Sequence, residues 1–200
     1  LGINFQFFYP YSKKLDPDID IVLNKILKSL ENYSEKIFTD IQDINPIKTR
    51  YYVDDRQYMR EDKEGSNLSK ISVISNDLID IIVGKSDFIV VSDYQKGCLN
   101  TESLKYLIKC CNKLKKPIFI DTKNKNPESI RNAFCLKINK NEFNSLFPNY
   151  ELRDNNSQDE IKNKVTKVKE CFNIKNLIVT LGSAGSIAIA NSNFIFCPSF

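Results

Sequence analysis

The sequence predicts an α/β fold, an open and mostly parallel sheet flanked by helices, with a small β-ribbon of different texture near the middle of the chain. Three observations carry that prediction. Short apolar runs alternate with amphipathic segments, the pattern left by strands and crossover helices. Successive apolar runs end in Asp, Asn, Thr or Gly, as strands do when they deliver polar groups to one rim of a parallel sheet. The stretch from Ile47 to Asp62 breaks the alternation and is rich in Tyr. With 200 residues the chain has the length of one domain, 1–200, able to bury about 70% of the surface its unfolded form exposes.

Taken in order, Phe5 to Tyr9 reads as a strand. Ile19 to Leu30 reads as a helix, because Ile21, Val22, Ile26 and Leu30 recur at helical spacing and Asp16 or Asp18 stands where a cap is needed. Ile47 to Asp62 reads as a β-hairpin turning at Asp54-Asp55, with both faces mixed, so that its register is not fixed by pattern. Leu78 to Val83 is a helix, Phe88 to Ser92 a strand, Leu104 to Leu114 a helix and Pro117 to Asp121 a strand. Ser129 to Asn132 is a short helical piece, Cys135 to Ile138 a strand, Glu142 to Phe147 a helical turn and Glu160 to Phe172 a helix. Leu177 to Thr180 is the next strand, and Ser186 to Ala190 with Phe194 to Phe196 continues the sheet in antiparallel fashion.

Composition narrows the function. Hydrophobic residues make up 42% and charged residues 27%, which predicts a packed globule and not a disordered chain. No apolar run approaches the roughly 20 residues of a membrane span, so no membrane partner is expected. The six cysteines form no C-x-x-C pair and there is no histidine, which argues against structural zinc and for reduced thiols in a cytoplasm. The missing histidine also removes Ser-His and Cys-His nucleophiles, leaving acid and base work to Asp, Glu or Lys. The net charge of +4 is spread thinly along the chain, so nucleic acid is not an expected partner.

Chemistry gathers where the strands end: Ser92-Asp93, Asp121-Thr122-Lys123, Asn139, and Thr180-Leu181-Gly182. Any one of these is an ordinary turn former, but four on one rim make a candidate site. Asp93, Asp121 and Glu142 are suited to a hydrated Mg²⁺, and Lys96 and Lys123 to phosphate oxygens, which are the parts phosphoryl transfer uses. Neither G-x-x-x-x-G-K-[ST] nor G-x-G-x-x-G occurs; Gly182-Ser183-Ala184-Gly185 comes nearest, and serves equally as a turn between two strands.

The string Ser92-Asp93-Tyr94-Gln95-Lys96-Gly97 resembles the S-D-Y-x-K-G of the PfkB, or ribokinase-like, carbohydrate kinases, above all the bacterial heptose 7-phosphate kinases of ADP-heptose synthesis. Further segments agree in order. Lys48-x-Arg50 and Gln57-x-x-Arg60-x-Asp62-x-Glu64 match that group's β lid, and Asp121-Thr122-Lys123 is similar to its D-P-K. Asn139-x-x-Glu142 resembles its N-x-x-E, with Lys137-Ile138 in place of the usual Thr-Pro, and Thr180-Leu181-Gly182 with Gly185 resembles its T-L-G-x-x-G.

The resemblance implies a three-layer α/β/α domain with a small β lid at about 47–62, transferring the γ-phosphoryl of Mg·ATP to a sugar hydroxyl. The implied acceptor is D-glycero-D-manno-heptose 7-phosphate. It implies that Asn139 and Glu142 organise the Mg²⁺ and phosphate region, Glu142 directly or through water, with Lys123 beside them. Thr180, Gly182 and Gly185 approach the nucleotide, and Lys48, Arg50, Gln57, Arg60, Asp93, Lys96 and Asp121 belong to the sugar side or the lid, which leaves a homodimer through the lid open. The family's Gly-rich sugar-binding segment is expected before Leu1, and its G-A-G-D segment, with the catalytic Asp, beyond Phe200. The chain is therefore expected to be an incomplete kinase domain without turnover of its own. Two alternatives stay open: a PfkB kinase for another sugar or a nucleoside, and a non-catalytic relative that binds sugar or nucleotide.

Overall fold

The computed structural model of the chain describes residues 5–12, 33–41, 47–63, 73–95, 97–191 and 193–199. They fall into two compact units. In the first, β1 (Phe5–Ser12) runs parallel to β2 (Tyr33–Ile41), with Phe8 opposite Ile37. β1 is three residues longer than its apolar pattern predicts. The pattern predicts nothing for β2, where Ile37 and Phe38 are adjacent and the polar residues around them leave no period-two alternation. The helix predicted over Ile19 to Leu30 lies outside the described residues.

The predicted hairpin is present as β3 (Ile47–Val53) and β4 (Arg56–Lys63). Asp54 and Asp55 both have positive φ, 47° and 60°, the geometry of a two-residue hairpin turn that matches strand twist. The register pairs Lys48 with Asp62, Arg50 with Arg60 and Tyr51 with Met59, then slips so that Tyr52 faces Gln57 across the unpaired Tyr58. The slip is a β-bulge, and it brings Lys48, Arg50, Gln57 and Arg60 to one face of the ribbon. Arg60 is held by Asp62 at 3.0 Å.

The second unit holds a six-stranded sheet in the order β10-β9-β8-β7-β6-β5. Its strands are β5 (Ile89–Asp93), β6 (Ile118–Thr122), β7 (Cys135–Asn139), β8 (Asn176–Thr180), β9 (Ser186–Ala190) and β10 (Asn193–Cys197). β5 to β8 are parallel and β9 and β10 antiparallel, as the sequence predicts. The helices are α1 (Asn76–Lys85), α2 (Thr101–Lys113), α3 (Lys140–Leu146) and α4 (Gln158–Cys171), with a 3-10 turn at Pro127–Ile130. Each runs a few residues beyond its apolar core because polar caps extend it. Ser75 accepts from the Leu78 N–H, and Asn100 with Ser103 and Ser157 with Glu160 form reciprocal capping boxes. Lys116 Nζ closes the other end of α1 by donating to the Val83 and Gly84 carbonyls at 2.7 and 2.9 Å.

Because β5, β6, β7 and β8 are neighbours in chain order, right-handed crossovers place every connecting element on the same side of the sheet. Burial follows that rule. Ile89, Val91, Ile118, Ile120, Leu136 and Ile138 alternate into the helical side, where α2 presents Leu104, Leu107, Ile108 and Cys111 at helical spacing. Val90 and Phe119 point the other way and stay exposed. Among the described residues no helix is long and apolar enough to cross a membrane.

This packing sets the thiol chemistry. Cys111 and Cys135 are buried, which pushes the first up to about 11 and raises the second, whereas Cys171 and Cys197 are exposed. With Ellman's reagent at pH 8 the native protein is expected to release thiol from Cys171 and Cys197 quickly and from Cys111 and Cys135 only after denaturation. Native-state labelling of Cys111, located by peptide mass, would contradict the packing of α2.

Candidate active site

Strand register decides which of the predicted residues meet. Ser92 pairs with Asp121, Asp121 with Lys137, and Asn139 with Thr180, which in turn pairs with Ser186. Paired residues share a face, so Ser92, Asp121, Lys137, Asn139, Thr180 and Ser186 form one polar band across the carboxyl ends of the parallel strands, on the side away from the helices. Asp93 and Thr122 are partners one step further on and face the opposite way.

Asn139 stands at the centre of the band and starts α3. Its Oδ1 accepts from the Glu142 N–H at 2.9 Å, and Glu142 Oε2 accepts from the Asn139 N–H at 2.8 Å. This is a capping box, so the spacing N-x-x-E has a structural cause as well as the chemical one expected of it. Phe143 holds the same turn from below, fully buried and edge-on to Phe147 at 5.2 Å. The second oxygen of Glu142, Oε1, takes no hydrogen bond among the described residues.

The expectation that Asp93, Asp121 and Glu142 jointly hold the ion is corrected. Among the described residues no group of three Asp, Glu, Cys or His side chains could hold a metal. Asp93 is buried on the helical side, where Oδ1 accepts from the Gln95 N–H and Oδ2 from Gln95 Nε2 and the Thr122 hydroxyl, each at 2.8 Å. It ties the loop after β5, in which Gln95 sits at φ 57°, to the end of β6. Thr122 passes the tie on, its Oγ1 accepting from the Asn124 N–H at 3.0 Å. Asp121 instead meets Lys137 Nζ at 2.8 Å, and that hydrogen bond holds the lysine above its usual pKa, with a further contribution from Glu142. Both side chains are nearly half exposed, so the pair contributes about 0–1 kcal/mol to stability.

Lys123 lies with Nζ 4.8 Å from the centre of the Tyr94 ring. It lines an open recess of about 630 Å³ with Gln95, Asn124, Lys125 and Asn126. Lys96 and Glu64 lie outside the described residues. Lys48, Arg50, Gln57 and Arg60 belong to the first unit and share the hairpin face already described.

The Gly182–Gly185 segment is the turn that joins β8 to β9. Leu181 N–H donates to the Gly185 carbonyl at 2.8 Å, and both glycines have positive φ, 63° and 98°. A Cβ at Gly185 would lie 2.1 Å from the Cys197 carbonyl oxygen, whereas one at Gly182 would meet nothing within 4 Å. Gly185 is needed for close approach and Gly182 only for its backbone angle.

These features define an α/β protein whose polar groups gather at the carboxyl ends of parallel strands, beside a glycine-bounded turn. The pfkB family carbohydrate kinase model matches residues 55–200, and the chain belongs to that family. It is 32% identical over 157 residues to the bifunctional protein HldE of Campylobacter jejuni strain RM1221, covering 77% of this chain and 32% of that protein. With the HldE of Aliarcobacter butzleri the identity is 25% over 188 residues, covering 92% and 38%. The chain thus spans about a third of the length of these curated relatives. Among solved structures, phosphofructokinase-2 from Escherichia coli in complex with fructose-6-phosphate superposes with a TM-score of 0.69 at 17% identity, covering 99% of this chain and 63% of that one. Arabidopsis thaliana ribokinase complexed with ribose and ATP gives 0.70 at 15% identity, covering 98% and 61%. The fold is ribokinase-like.

Two substitutions test the local structure. Gly185→Ala is expected to cost about 3 kcal/mol or more, combining strain with a clash, while Gly182→Ala costs about 1 kcal/mol; equal losses in urea unfolding would reject the close approach at Cys197. Thr122→Val keeps the shape but strips the hydroxyl from buried Asp93 and Asn124, and is expected to cost about 1–3 kcal/mol by the same measurement.

Proposed function

We propose that this chain is part of an ATP-dependent sugar kinase, transferring the γ-phosphoryl group of Mg·ATP to a hydroxyl of a sugar phosphate. The observation that carries the reading is the Asn139–Glu142 pair at the end of β7, level with Thr180 and next to the Gly182–Gly185 turn. A carboxylate with one oxygen uncommitted, in the first turn of a helix that starts from a rigid strand end, suits a Mg²⁺ that keeps several waters and is otherwise held by phosphate oxygens. One carboxylate is sufficient for such an ion. Glu142 would hold it, directly or through water, Asn139 fixes Glu142, and Thr180 with the glycine turn would lie on the nucleotide side. When bound, the ion draws charge from the β- and γ-phosphoryl oxygens. None of the 200 residues is assigned as the base for the acceptor hydroxyl.

The hairpin supports a phosphorylated acceptor. Arg50 directly opposite Arg60 is a like-charge pair that costs stability, and of the two Asp62 holds Arg60, at 3.0 Å. This favours a sugar phosphate over a neutral sugar, and D-glycero-D-manno-heptose 7-phosphate is the proposed acceptor, consistent with the similarity to HldE proteins. Tyr52, Val53 and Tyr58 are exposed on the same ribbon, a surface suited to a lid or to a second copy of the chain.

The non-catalytic alternative rests on departures from the family pattern. Thr122 is hydrogen-bonded to Asp93 and Asn124, and Ile138 is fully buried, so both are built into the fold and weigh against decay.

ADP release by the longer protein of which this chain is proposed to be part, in the presence of Mg·ATP and heptose 7-phosphate, fructose 6-phosphate or ribose, tests the reading, heptose 7-phosphate being the expected acceptor. Glu142→Gln is expected to weaken Mg-dependent nucleotide binding on the order of tenfold, with a smaller effect when Mg²⁺ is absent. Equal weakening with and without Mg²⁺ would remove Glu142 from the ion, and nucleotide binding by that longer protein with no transfer to any acceptor would favour the non-catalytic relative.

A further inference from the structure

A second recess, of about 470 Å³, lies at the amino ends of β7 and β8, separated from the rim by the length of those strands, roughly 16 Å. Three connections meet there: the end of α2, the link from the 3-10 turn into β7 and the link from α4 into β8. Asn112 Nδ2 donates to the Asn132 carbonyl at 3.0 Å and Asn173 Nδ2 to Asn132 Oδ1 at 2.8 Å, which ties the three together. These bonds leave Nδ2 of Asn132 and the Oδ1 atoms of Asn112 and Asn173 uncommitted among the described residues, and the side-chain amide of Asn191 joins them on the lining.

Two ammonium groups complete the lining, with no Asp or Glu among the residues of the recess. Lys175 lies with Nζ 5.0 Å from the centre of the Phe134 ring, and Lys169 stands in the last turn of α4. Neither ammonium has a hydrogen bond or an ion pair among the described residues. A lysine at the end of a helix ordinarily answers its unsatisfied carbonyls. Here every carbonyl from Val168 to Phe172 already accepts a hydrogen bond, from the N–H groups of Phe172, Ile174, Asn173 and Asn132 and from the Arg131 guanidinium. The helix end is neutralised without Lys169, and its charge is left for something else.

We propose that this recess is a second ligand site for a small phosphorylated polyol, whose phosphate is met by the ammonium groups of Lys169 and Lys175 and whose hydroxyls are met by the asparagine amides. A phosphate monoester carries about −1.5 to −2 charge at neutral pH, which two lysines balance. An amide presents both a donor and an acceptor, as a hydroxyl does, so the free Nδ2 and Oδ1 atoms suit a polyol. The recess has the volume of a small-molecule site. It shares no residue with the polar band and is independent of the kinase reading.

The test is lysine acylation by an amine-reactive ester, located by peptide mass, on the longer protein of which this chain is proposed to be part, with glucose 6-phosphate, ADP, glucose or sulfate added at one ionic strength. At about ten times its Kd, glucose 6-phosphate or ADP is expected to slow labelling of Lys169 and Lys175 about tenfold. Lys167, exposed on α4 outside the recess, is expected to label at an unchanged rate. Protection confined to glucose 6-phosphate assigns a sugar phosphate and protection confined to ADP a nucleotide, both within the proposed class. Protection by neither, or protection that glucose or sulfate matches, overturns the proposal. Calorimetry supplies the second measurement: Lys169→Gln combined with Lys175→Gln is expected to weaken the protecting ligand about tenfold at this site, with Lys169→Arg combined with Lys175→Arg retaining it. Both double variants are expected to melt close to the parent, because neither ammonium has a polar partner in the fold. Unchanged affinity in the glutamine variant places the ligand elsewhere, and affinity falling only in step with melting temperature makes the lysines structural; either overturns the proposal.

Discussion

The six-stranded sheet depends on one constraint: its four parallel strands lie side by side in chain order, and right-handed crossovers then confine every connecting helix to one side. Each strand must place its apolar residues on that side, and whatever alternates with them faces away. Polar residues near the strand ends are thereby sorted, residue by residue, into supports and presented groups. Asp93 and Thr122 fall on the helical side and become buried ties, while Asp121, Lys137, Asn139 and Thr180 fall on the other and form the band.

The buried tie matters to the presented groups because a strand end is only as well placed as the loop that follows it. Asp93 accepts three hydrogen bonds, two from Gln95 and one from Thr122, and so joins the ends of β5 and β6. The chain continues this outward: Asn124 Oδ1 accepts from the Asn126 N–H, and Asn126 Oδ1 from the Glu128 N–H, which starts the 3-10 turn at Pro127–Ile130. A proline at position 122 could make no side-chain link to Asp93. Threonine there is a different solution to positioning the same strand end.

Much of this was legible in the sequence. The parallel strands could be read from their apolar runs and the antiparallel close of the sheet from Ser186 to Phe196, because burial leaves a strong pattern. What escaped was parity. Ser92-Asp93 and Asp121-Thr122 read as two polar pairs on one rim, yet each pair straddles the sheet, and only register tells which member faces which side. The hairpin was visible in its tyrosines, but the bulge at Tyr58 that brings Gln57 to the face of Arg60 has no signature in residue type. β2 escaped because its adjacent Ile37 and Phe38 break the alternation a half-buried strand would show.

In the proposed ion site, Asn139 and Glu142 would make a local folding signal and a chemical one the same residues. A side-chain cap needs an acceptor at the first position and a carboxylate or amide three residues later, which describes N-x-x-E without reference to any ligand. Capping uses one oxygen of Glu142 and fixes its rotamer, so the other is presented at a defined place without a separate supporting residue. The strand that delivers this pair is anchored by Leu136 and Ile138 in the core, and the helix it starts by Phe143. Precision at the rim is thus derived from hydrophobic burial of the adjacent residues, and a substitution that loosened Ile138 or Phe143 would disturb Asn139 and Glu142 without replacing either.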